Sequence, residues 1–337
     1  MDTPLLRLTE RGLWCPPGDF FIDPWGQVER AVLTHAHADH ARLGSRRYLT
    51  AQAGLAVLRA RFGPDADIET VDYGQSIRLN DAAISLHPAG HILGSAQVRL
   101  EHHGHVAVIS GDYKLGADPT CVGFEPLRCH TFVTESTFGL PIYRWPDPAE
   151  VFADINRWWR ANQEAGKASL LYGYALGKAQ RLLAGVDASI GPIFTHGAVE
   201  KVNEAYRASG VALPATTHVG QVKSAEWKQA LIVAPPSAHG TPWMRRFGSL
   251  STAFASGWMR IRGTRRRRAI DRGFVLSDHA DWPELGRAIA ASSAEMVWVT
   301  HGYVTTLVRW LRERGLAAVG LKTEFVGEVD EPAELAS

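Results

Sequence analysis

The stretch Ala31-Val32-Leu33-Thr34-His35-Ala36-His37-Ala38-Asp39-His40 decides how this chain is read. A short β-prone run leads straight into four ligand-type side chains within six residues. Imidazoles and carboxylates at that density need a cation to offset their desolvation, which core packing alone does not supply. In an extended segment His35 and His37 share one side. Asp39 and His40 fall just beyond it, where the chain turns and can face a second ion. A solvated loop is a poor rival for an HxHxDH pattern of this specificity.

One short segment holds too few ligands for a closed site, so further ligands are expected at other strand ends. His91 lies in Gly90-His-Ile-Leu-Gly-Ser95, Asp112 in Ser110-Gly-Asp112 after the run Val106 to Ile109, and His301 in Thr300-His-Gly302 after the run Met296 to Thr300. Alone, each reads as a hydrogen-bonded structural residue. In series behind HxHxDH they read as one metal site.

Outward from these motifs, the first 140 residues read as short strands: Phe20 to Asp23, Ala31 to Thr34, Ala83 to His87, Gln97 to Glu101, Val106 to Ser110 and Thr131 to Glu135, with a helix over Gln52 to Phe62. Composition changes near Pro141 to Pro148. Beyond it come helix Ala149 to Glu164, strand Ser169 to Tyr172, helix Gly177 to Ala184, strand Pro192 to Thr195, helix Val199 to Ser209 and strand Ala230 to Ala234. That alternation predicts a parallel sheet covered by helices. Strand Gly273 to Ser277, helix Trp282 to Ala291, strand Met296 to Thr300 and helix Val304 to Arg314 follow, and the acidic last ten residues are expected to fray.

With 337 residues, 45% apolar and 21% charged, the chain has the composition of a soluble globular enzyme. No apolar run approaches the roughly 20 residues that cross a bilayer, and Met1 to Glu10 lacks the apolar core of a signal peptide. A cytoplasmic protein is expected. Cys15, Cys121 and Cys129 form no CxxC pair, so they are expected to be reduced, structural thiols. The net charge of +1 conceals an asymmetry: Pro141 to Asp271 carries 18 Lys+Arg against 9 Asp+Glu, and the remainder 18 against 26. No acid stands between Glu226 and Asp271, whereas Arg245, Arg246, Arg260, Arg262 and Arg265 to Arg268 do. A basic middle in an acidic frame suggests a polyanion-binding insertion; the competing reading is a solvated basic surface.

On these motifs the chain resembles the metallo-β-lactamase superfamily, in its β-CASP nucleic-acid-processing branch, over nearly its full length. Asp23 in Phe-Ile-Asp-Pro, HxHxDH, His91 and Asp112 resemble the first four motifs of the superfamily. Glu135 in Thr-Glu-Ser-Thr-Phe, His279 in Ser-Asp-His-Ala-Asp and His301 resemble β-CASP motifs A, B and C, and Tyr174-Ala-Leu-Gly-Lys-Ala-Gln180 resembles a recurrent β-CASP segment. Gly12-Leu-Trp-Cys-Pro-Pro-Gly18, Ala255-Ser-Gly-Trp-Met259, and Arg265 to Arg268 followed by Asp271-Arg-Gly-Phe-Val275 are similar to phrases of bacterial ligase-associated DNA exonucleases. Motif C departs from that subgroup's direction: DNA-directed members usually carry Val there and RNA-directed members His.

The resemblance implies an α/β fold, a metallo-β-lactamase αββα sandwich formed by residues 1–140 plus 272–337, interrupted by a basic β-CASP cap at 141–271. It implies a first metal held by His35, His37 and His91, a second by Asp39, His40 and His301, and Asp112 bridging both. Nitrogen and oxygen ligands suit Zn²⁺ and accept Mn²⁺. Asp23 would stand behind a ligand imidazole and fix it. His279 would donate a proton to the leaving oxygen, with Glu135 orienting it. The reaction implied is phosphodiester hydrolysis by a metal-activated hydroxide, on DNA, in end processing beside an ATP-dependent DNA ligase and a helicase. Lys178, Arg260, Arg262, Arg265, Arg266 and Arg267 are the expected phosphate contacts, and Trp243, Trp258 and Tyr174 the residues available for base stacking. An RNA nuclease of the same branch is the alternative. An inactive scaffold ranks lower because every ligand position is filled, and a small-molecule hydrolase would not need the basic insertion.

Overall fold

The computed structural model describes residues 4–222, 227–261 and 269–323. They form two compact units, one from the residues up to Arg144 together with those from His279 onward, the other from Trp145–Asp278.

The first unit is built on two sheets, with strands numbered in chain order. One has the order β1 (Arg7–Thr9), β2 (Gly12–Cys15), β3 (Phe20–Ile22), β4 (Arg30–Val32), β5 (Arg47–Ala51), β6 (Ile68–Val71), antiparallel as far as β3 and parallel from there. The other contains β7 (Ser76–Leu79), β8 (Ala82–Pro88), β9 (Ala96–His102), β10 (His105–Ile109), β11 (Thr131–Ser136), β18 (Met296–Gly302) and β19 (Ala317–Gly320), in the order β19-β18-β11-β10-β9-β8-β7. Period-two alternation places Leu13, Ile22, Val32 and Leu49 of the first sheet and Ile84, Leu86, Val98, Leu100, Ile109 and Val133 of the second in one shared core. The opposite face of the second sheet, with Val108, Phe132, Val297 and Val299, packs on Leu285 and Ile289 of helix α5 (Trp282–Ser292) and Leu307 and Leu311 of α6 (Val304–Arg312). Each such side chain contributes on the order of 1.5–3 kcal/mol by leaving water. Helix α1 (Leu55–Phe62) meets the outer face of the first sheet, where the Phe62 ring lies 5.0 Å from Tyr48.

Strand direction decides where the chemistry gathers. β10, β11 and β18 run parallel, and β8, two antiparallel steps from β10, runs the same way. The carboxyl ends of these four strands therefore share one edge of the second sheet, and β3 and β4, parallel to each other, end together in the first. Those ends carry the polar residues singled out in the sequence.

The second unit is a six-stranded, all-parallel sheet. Its strands are β12 (Ala168–Tyr172), β13 (Ile193–Thr195), β14 (Thr217–His218), β15 (Leu231–Ala234), β16 (Leu250–Ala255) and β17 (Arg272–Phe274), in the order β14-β13-β15-β12-β16-β17. β12 and β15 are buried along their whole length, as strands covered on both faces must be. Leu171 and Val233 face α2 (Pro148–Glu164), α3 (Lys178–Gly185) and α4 (Gly197–Ala208), while Leu170, Tyr172 and Ile232 face Val219, Phe247 and Met259. Helix α2 forms because Val151, Ile155, Trp158 and Trp159 line one stripe. It starts where the Asp147 side chain accepts from Ala149 N at 2.9 Å, with Pro148 in the first turn.

The expected return to the first unit at residue 272 needs correction. Arg272, Gly273 and Phe274 pair in parallel with Ala253, Phe254 and Ala255, and the Asp271 carboxylate accepts from Thr252 N and Oγ1 at 2.8 and 2.9 Å. The chain therefore completes the parallel sheet first, with Arg272–Phe274, and the second unit extends to Asp278. Arg262 and Arg265 to Arg268, and the acidic C-terminal residues, lie outside the described residues. Among the described residues no helix is long and apolar enough to cross a membrane.

Glu200 ties α4 to the strands beside it, accepting from Thr195 Oγ1 (2.5 Å), Arg207 (3.0 Å) and Thr216 Oγ1 (2.7 Å). Partial burial works to raise its pKa, but the hydrogen bonds from Thr195 and Thr216 and the Arg207 cation outweigh it and hold the carboxyl below its ordinary value. A depressed carboxylate stabilises the fold above the unfolded pKa of about 4.3 and loses that contribution as pH falls through the folded value. Glu200→Gln is therefore expected to cost roughly 1–2 kcal/mol at neutral pH, with the gap to the parent protein closing as the solution is acidified. Thermal or urea unfolding at several pH values checks this; a gap unchanged with pH contradicts it.

Candidate metal centre

At the edge where the strands of the first unit end, five imidazoles and one carboxylate converge. His35, His37 and His91 group with Asp112, and His40 and His301 group with the same Asp112, with the potential ligand atoms of each group within 4.8 Å of one another. All are buried except His37, which is half-buried. His35 Nε2 and His91 Nε2 each stand 3.1 Å from His37 Nδ1. Asp112 Oδ2 is 3.4 Å from His40 Nε2, 3.5 Å from His35 Nε2 and 3.8 Å from His91 Nε2, while Oδ1 is 3.0 Å from His301 Nε2.

These spacings fit a cation. Ligands about 2.0–2.1 Å from a tetrahedral ion stand about 3.3 Å from each other, close to the separations found. The donors are nitrogen and oxygen without sulfur, a set suited to divalent zinc or manganese. Asp112 is common to both groups, its Oδ2 toward His35, His40 and His91 and its Oδ1 toward His301.

Local structure explains why the rings point inward. The turn after β4 closes through Ala41 N to His37 O at 2.8 Å, and Arg61 of α1 donates to the carbonyls of Ala36 and Ala41 at 2.6 and 3.0 Å, clamping both ends of the motif. His35, His40 and His301 each have Nδ1 against an oxygen: Thr34 Oγ1 at 3.1 Å, Asp23 Oδ2 at 2.7 Å and Thr300 Oγ1 at 3.0 Å. That contact orients each ring and leaves Nε2 directed to the centre. Asp23 is itself fixed, accepting from Thr34 N (2.8 Å) and Thr34 Oγ1 (2.5 Å). His91 is set by the Ser95 hydroxyl, which accepts from the His91 and Ile92 amides at 3.1 and 3.2 Å.

Two glycines permit the approach of the strands. A Cβ on Gly111 (φ 57) would sit 2.7 Å from the Thr34 side chain, so only glycine lets the end of β10 bring Asp112 against the His35 segment. At β18 the register passes from Thr134↔Val299 to Ser136↔Gly302, one residue more on β18 than on β11. This bulge re-aims His301. Gly302 (φ 87) closes it at a point where a Cβ would stand 2.2 Å from Ser136 O.

Electrostatics follow from burial. Desolvation pushes His35 well below its ordinary pKa, helped by His40 and opposed by Asp112. For His40 desolvation acts the same way, but Asp112, Asp39 and Asp23 outweigh it and raise its pKa. Burial alone would raise the pKa of Asp112; its histidine neighbours, His40 foremost, hold it well below the carboxylate range.

Next to this centre, His279 Nδ1 lies 3.1 and 3.0 Å from the two oxygens of Glu135 and 4.0 Å from Asp112 Oδ2. Glu135 also accepts from Tyr113 N at 2.8 Å. The expected placement of Asp39 beside His40 and His301 needs qualification: its side chain is 43% exposed and stands 3.8 Å from His40 Nε2, at the rim of the cluster.

The expected phosphate contact at Lys178 is overturned. Lys178 is 1% exposed, and its Nζ pairs with Asp278 Oδ2 at 2.8 Å, while Arg181 reaches Asp278 Oδ1 at 3.0 Å. A lysine opening a helix after a strand suits a phosphate, but this one is enclosed and neutralised by a carboxylate a hundred residues on. Tyr174, a candidate for stacking on bases, is buried with its ring edge-on to Phe254; Trp258 and Trp243 are half-buried, and Arg260 is exposed. The cysteines are free thiols; burial pushes those of Cys15 and Cys129 up to about 11, which makes them poor nucleophiles and ligands. Sequence reasoning missed Thr34, Arg61 and Ser95. For the two hydroxyls the available signal was adjacency to a ligand motif.

Asp23→Asn removes the anion behind His40 while keeping the residue's shape. Zinc or manganese affinity, measured calorimetrically, is expected to fall about 10- to 100-fold at the group containing His40 and His301, with the group of His35, His37 and His91 little changed. Unaltered affinity at both would refute the orienting role of Asp23.

Comparison with known proteins bears on identity. No family model matches the chain. It is 33% identical over 310 residues to a protein of Opitutus terrae described as "Probable DNA ligase", a match covering 91% of this chain and 30% of that protein. It is 31% identical over 123 residues to the endoribonuclease ysh1 of Aspergillus fumigatus, and 30% identical over 124 residues to cleavage and polyadenylation specificity factor subunit 3 of Dictyostelium discoideum. Each of these matches covers 36% of this chain, and 14% and 16% of those proteins respectively. The chain thus spans less than a third of the length of these relatives. Among solved structures, a protein of unknown function from Enterococcus faecalis aligns with a TM-score of 0.56 over 89% of this chain and 80% of that one, at 14% identity, a likeness of fold. Homology to these proteins, over part of the chain for the endoribonucleases, supports its place in the metallo-β-lactamase superfamily, in the β-CASP branch.

Proposed function

We propose that the protein is a metal-dependent DNA nuclease, an exonuclease acting on ends before ligation. We read the helix-sheet-sheet-helix layering of its first unit as the metallo-β-lactamase sandwich and its parallel second unit as the inserted β-CASP domain. The observation that carries the reading is the convergence of His35, His37, His40, His91 and His301 on the two oxygens of Asp112. DNA is preferred because the match to the protein described as a probable DNA ligase extends over 91% of the chain, whereas those to the endoribonucleases stop near a third. The same match supports work beside a DNA ligase; the helicase association rests on the family resemblance.

In this reading His35, His37 and His91 hold one divalent ion and His40 and His301 a second, with Asp39 at its rim and Asp112 shared. Zinc is the first choice and manganese the second. When bound, the pair supplies Lewis acidity toward the phosphoryl oxygens and an activated water for attack on phosphorus. The remaining work falls to side chains of this protein. Asp23 holds His40 by Nδ1, and Thr34 and Thr300 do the same for His35 and His301, which fixes the orientation of these three rings. His279 Nδ1–H donates a hydrogen bond to the Glu135 carboxylate, which stabilises the protonated ring; its Nε2–H gives its proton to the leaving oxygen and the ring returns to neutral imidazole. The excess of basic residues in the second unit supplies phosphate contacts that weaken as salt rises.

A second reading, an RNA nuclease of the same branch, is favoured by His301 at motif C and by the endoribonuclease names of the shorter matches. Digestion of end-labelled DNA and RNA of one sequence separates the two.

Three variants test the centre. Asp112→Ala is expected to lose bound metal by elemental analysis and to cut DNA at least about 10³-fold more slowly; undiminished cleavage would remove the proposed site. His279→Ala is expected to retain metal but lose about 10²- to 10⁴-fold in kcat on DNA. The same variant should hydrolyse bis(p-nitrophenyl) phosphate nearly normally, because that leaving group needs no proton; an equal loss on both substrates would exclude the acid role. Glu135→Gln should follow His279→Ala in this contrast, with a smaller loss.

A further inference from the structure

The carboxyl edge of the parallel sheet in the second unit carries a group of residues that the metal centre does not use. In α/β units this edge is where ligands enter, outside the ends of the strands. His196 follows β13, His218 ends β14, and the short helical turn Pro242–Phe247 follows β15. The turn is held firmly: Phe247 is buried, and Met244 Sδ accepts from the Tyr172 hydroxyl and Gly240 N at 3.3 and 3.1 Å. Trp243 lies edge-on to Phe247 and to His196, with ring centroids 4.8 and 5.1 Å apart. The Arg246 guanidinium sits 5.9 Å from the Trp243 centroid. His218 packs against Gly197 at the start of α4, where a Cβ would stand 3.0 Å from its Nε2. His196 Nδ1 accepts from Ala198 N at 3.1 Å, so its neutral ring carries its proton on Nε2 as a donor.

Charge identifies the occupant. Arg245 and Arg246 are exposed, and no ion pair to either is present among the described residues. No Asp or Glu occurs from Trp227 to Ile270, and Glu200 of α4 is taken up by Thr195, Thr216 and Arg207. An exposed pair of guanidinium forks, the His196 N–H donor and a half-exposed indole along one edge are complementary to a strand of phosphates with accessible base faces.

We infer that this edge is a clamp for an unpaired polynucleotide strand, with Arg245 and Arg246 on its phosphates and Trp243 beneath a base. The inference deepens the nuclease reading by assigning it a binding surface. It selects a single strand because the bases of a duplex are stacked on one another and leave the Trp243 ring no face to meet.

The test is fluorescence anisotropy with labelled oligo(dT) and oligo(rU) of roughly 20 nucleotides, in EDTA, across a series of salt concentrations. Arg245→Ala/Arg246→Ala is expected to bind at least one of the two about 10-fold or more weakly at low salt. Its slope of log K against log[salt] should be shallower by about 1.4, the loss of two phosphate contacts on a single strand. Arg245→Lys/Arg246→Lys should recover most of that slope, which excludes misfolding as the cause. Trp243→Ala should weaken binding about 5-fold or more with the slope unchanged. Arg78→Ala/Arg128→Ala, which removes the same charge from exposed positions of the first unit, should change affinity less than 3-fold. Parental affinity and slope in the Arg245/Arg246 double variant, or an equal loss in the Arg78/Arg128 control, would overturn the clamp. Because EDTA removes catalysis from the measurement, a protein that binds through these residues yet cuts nothing with metal restored would sink the nuclease reading alone.

Discussion

One carboxylate organises this protein. Asp112 is nearly inaccessible to water, yet the histidines around it hold its pKa below the carboxylate range, and imidazoles of both groups lie around its two oxygens. So much desolvated polarity in one place is sustainable only if every ring is oriented and the whole is neutralised. The architecture of the first unit follows from that requirement. Two sheets share a core and end their parallel strands along common edges, and the residues just beyond those ends are the ones that must meet.

The orientation is achieved with inexpensive local chemistry. Threonine hydroxyls immediately before His35 and His301 face the Nδ1 of the next residue, and Asp23 does this for His40 from a neighbouring strand. Gly111 and Gly302 remove Cβ atoms that would keep the strand ends apart. The bulge in β18 turns His301 toward Asp112. Each of these devices acts on the direction of a ring or the approach of a strand end, and so on whether the ligand atoms meet. The second unit follows a different logic. Its central strands are apolar along their length and its helices are amphipathic, while Arg245 and Arg246 lie exposed in a stretch, Trp227 to Ile270, that contains no acid.

Much of this was legible in the residues. Helices α2 and α5 have strong apolar spacing, Asp caps and an early proline, and their extents agree with expectation to within a residue. The interior strands β8 to β12 and β15 are continuous apolar or alternating runs and were equally readable. Short edge strands such as β1, β7, β14 and β19 were not, because two to four residues carry too little periodicity and take their shape from a neighbour. β17 misled for the same reason: nothing in Arg272-Gly-Phe274 states which sheet it will join, and the Thr252–Asp271 contact decides it. Lys178 shows the limit for function, since a lysine after a strand looks alike whether it meets a phosphate or a buried aspartate.

The sequence alone determined the kind of chemistry available: the HxHxDH cluster, three isolated ligand-type residues at strand ends and a basic middle section, because ligand type and charge are properties of residues and survive without coordinates. Only the tertiary structure decided which of those residues meet. Convergence of His91, Asp112 and His301 on the His35 to His40 segment depends on strand direction, register and the absence of two side-chain carbons. Burial decided as well that Lys178 is enclosed while Arg245 and Arg246 face water. These are relations between segments far apart in the chain, and no local pattern encodes them.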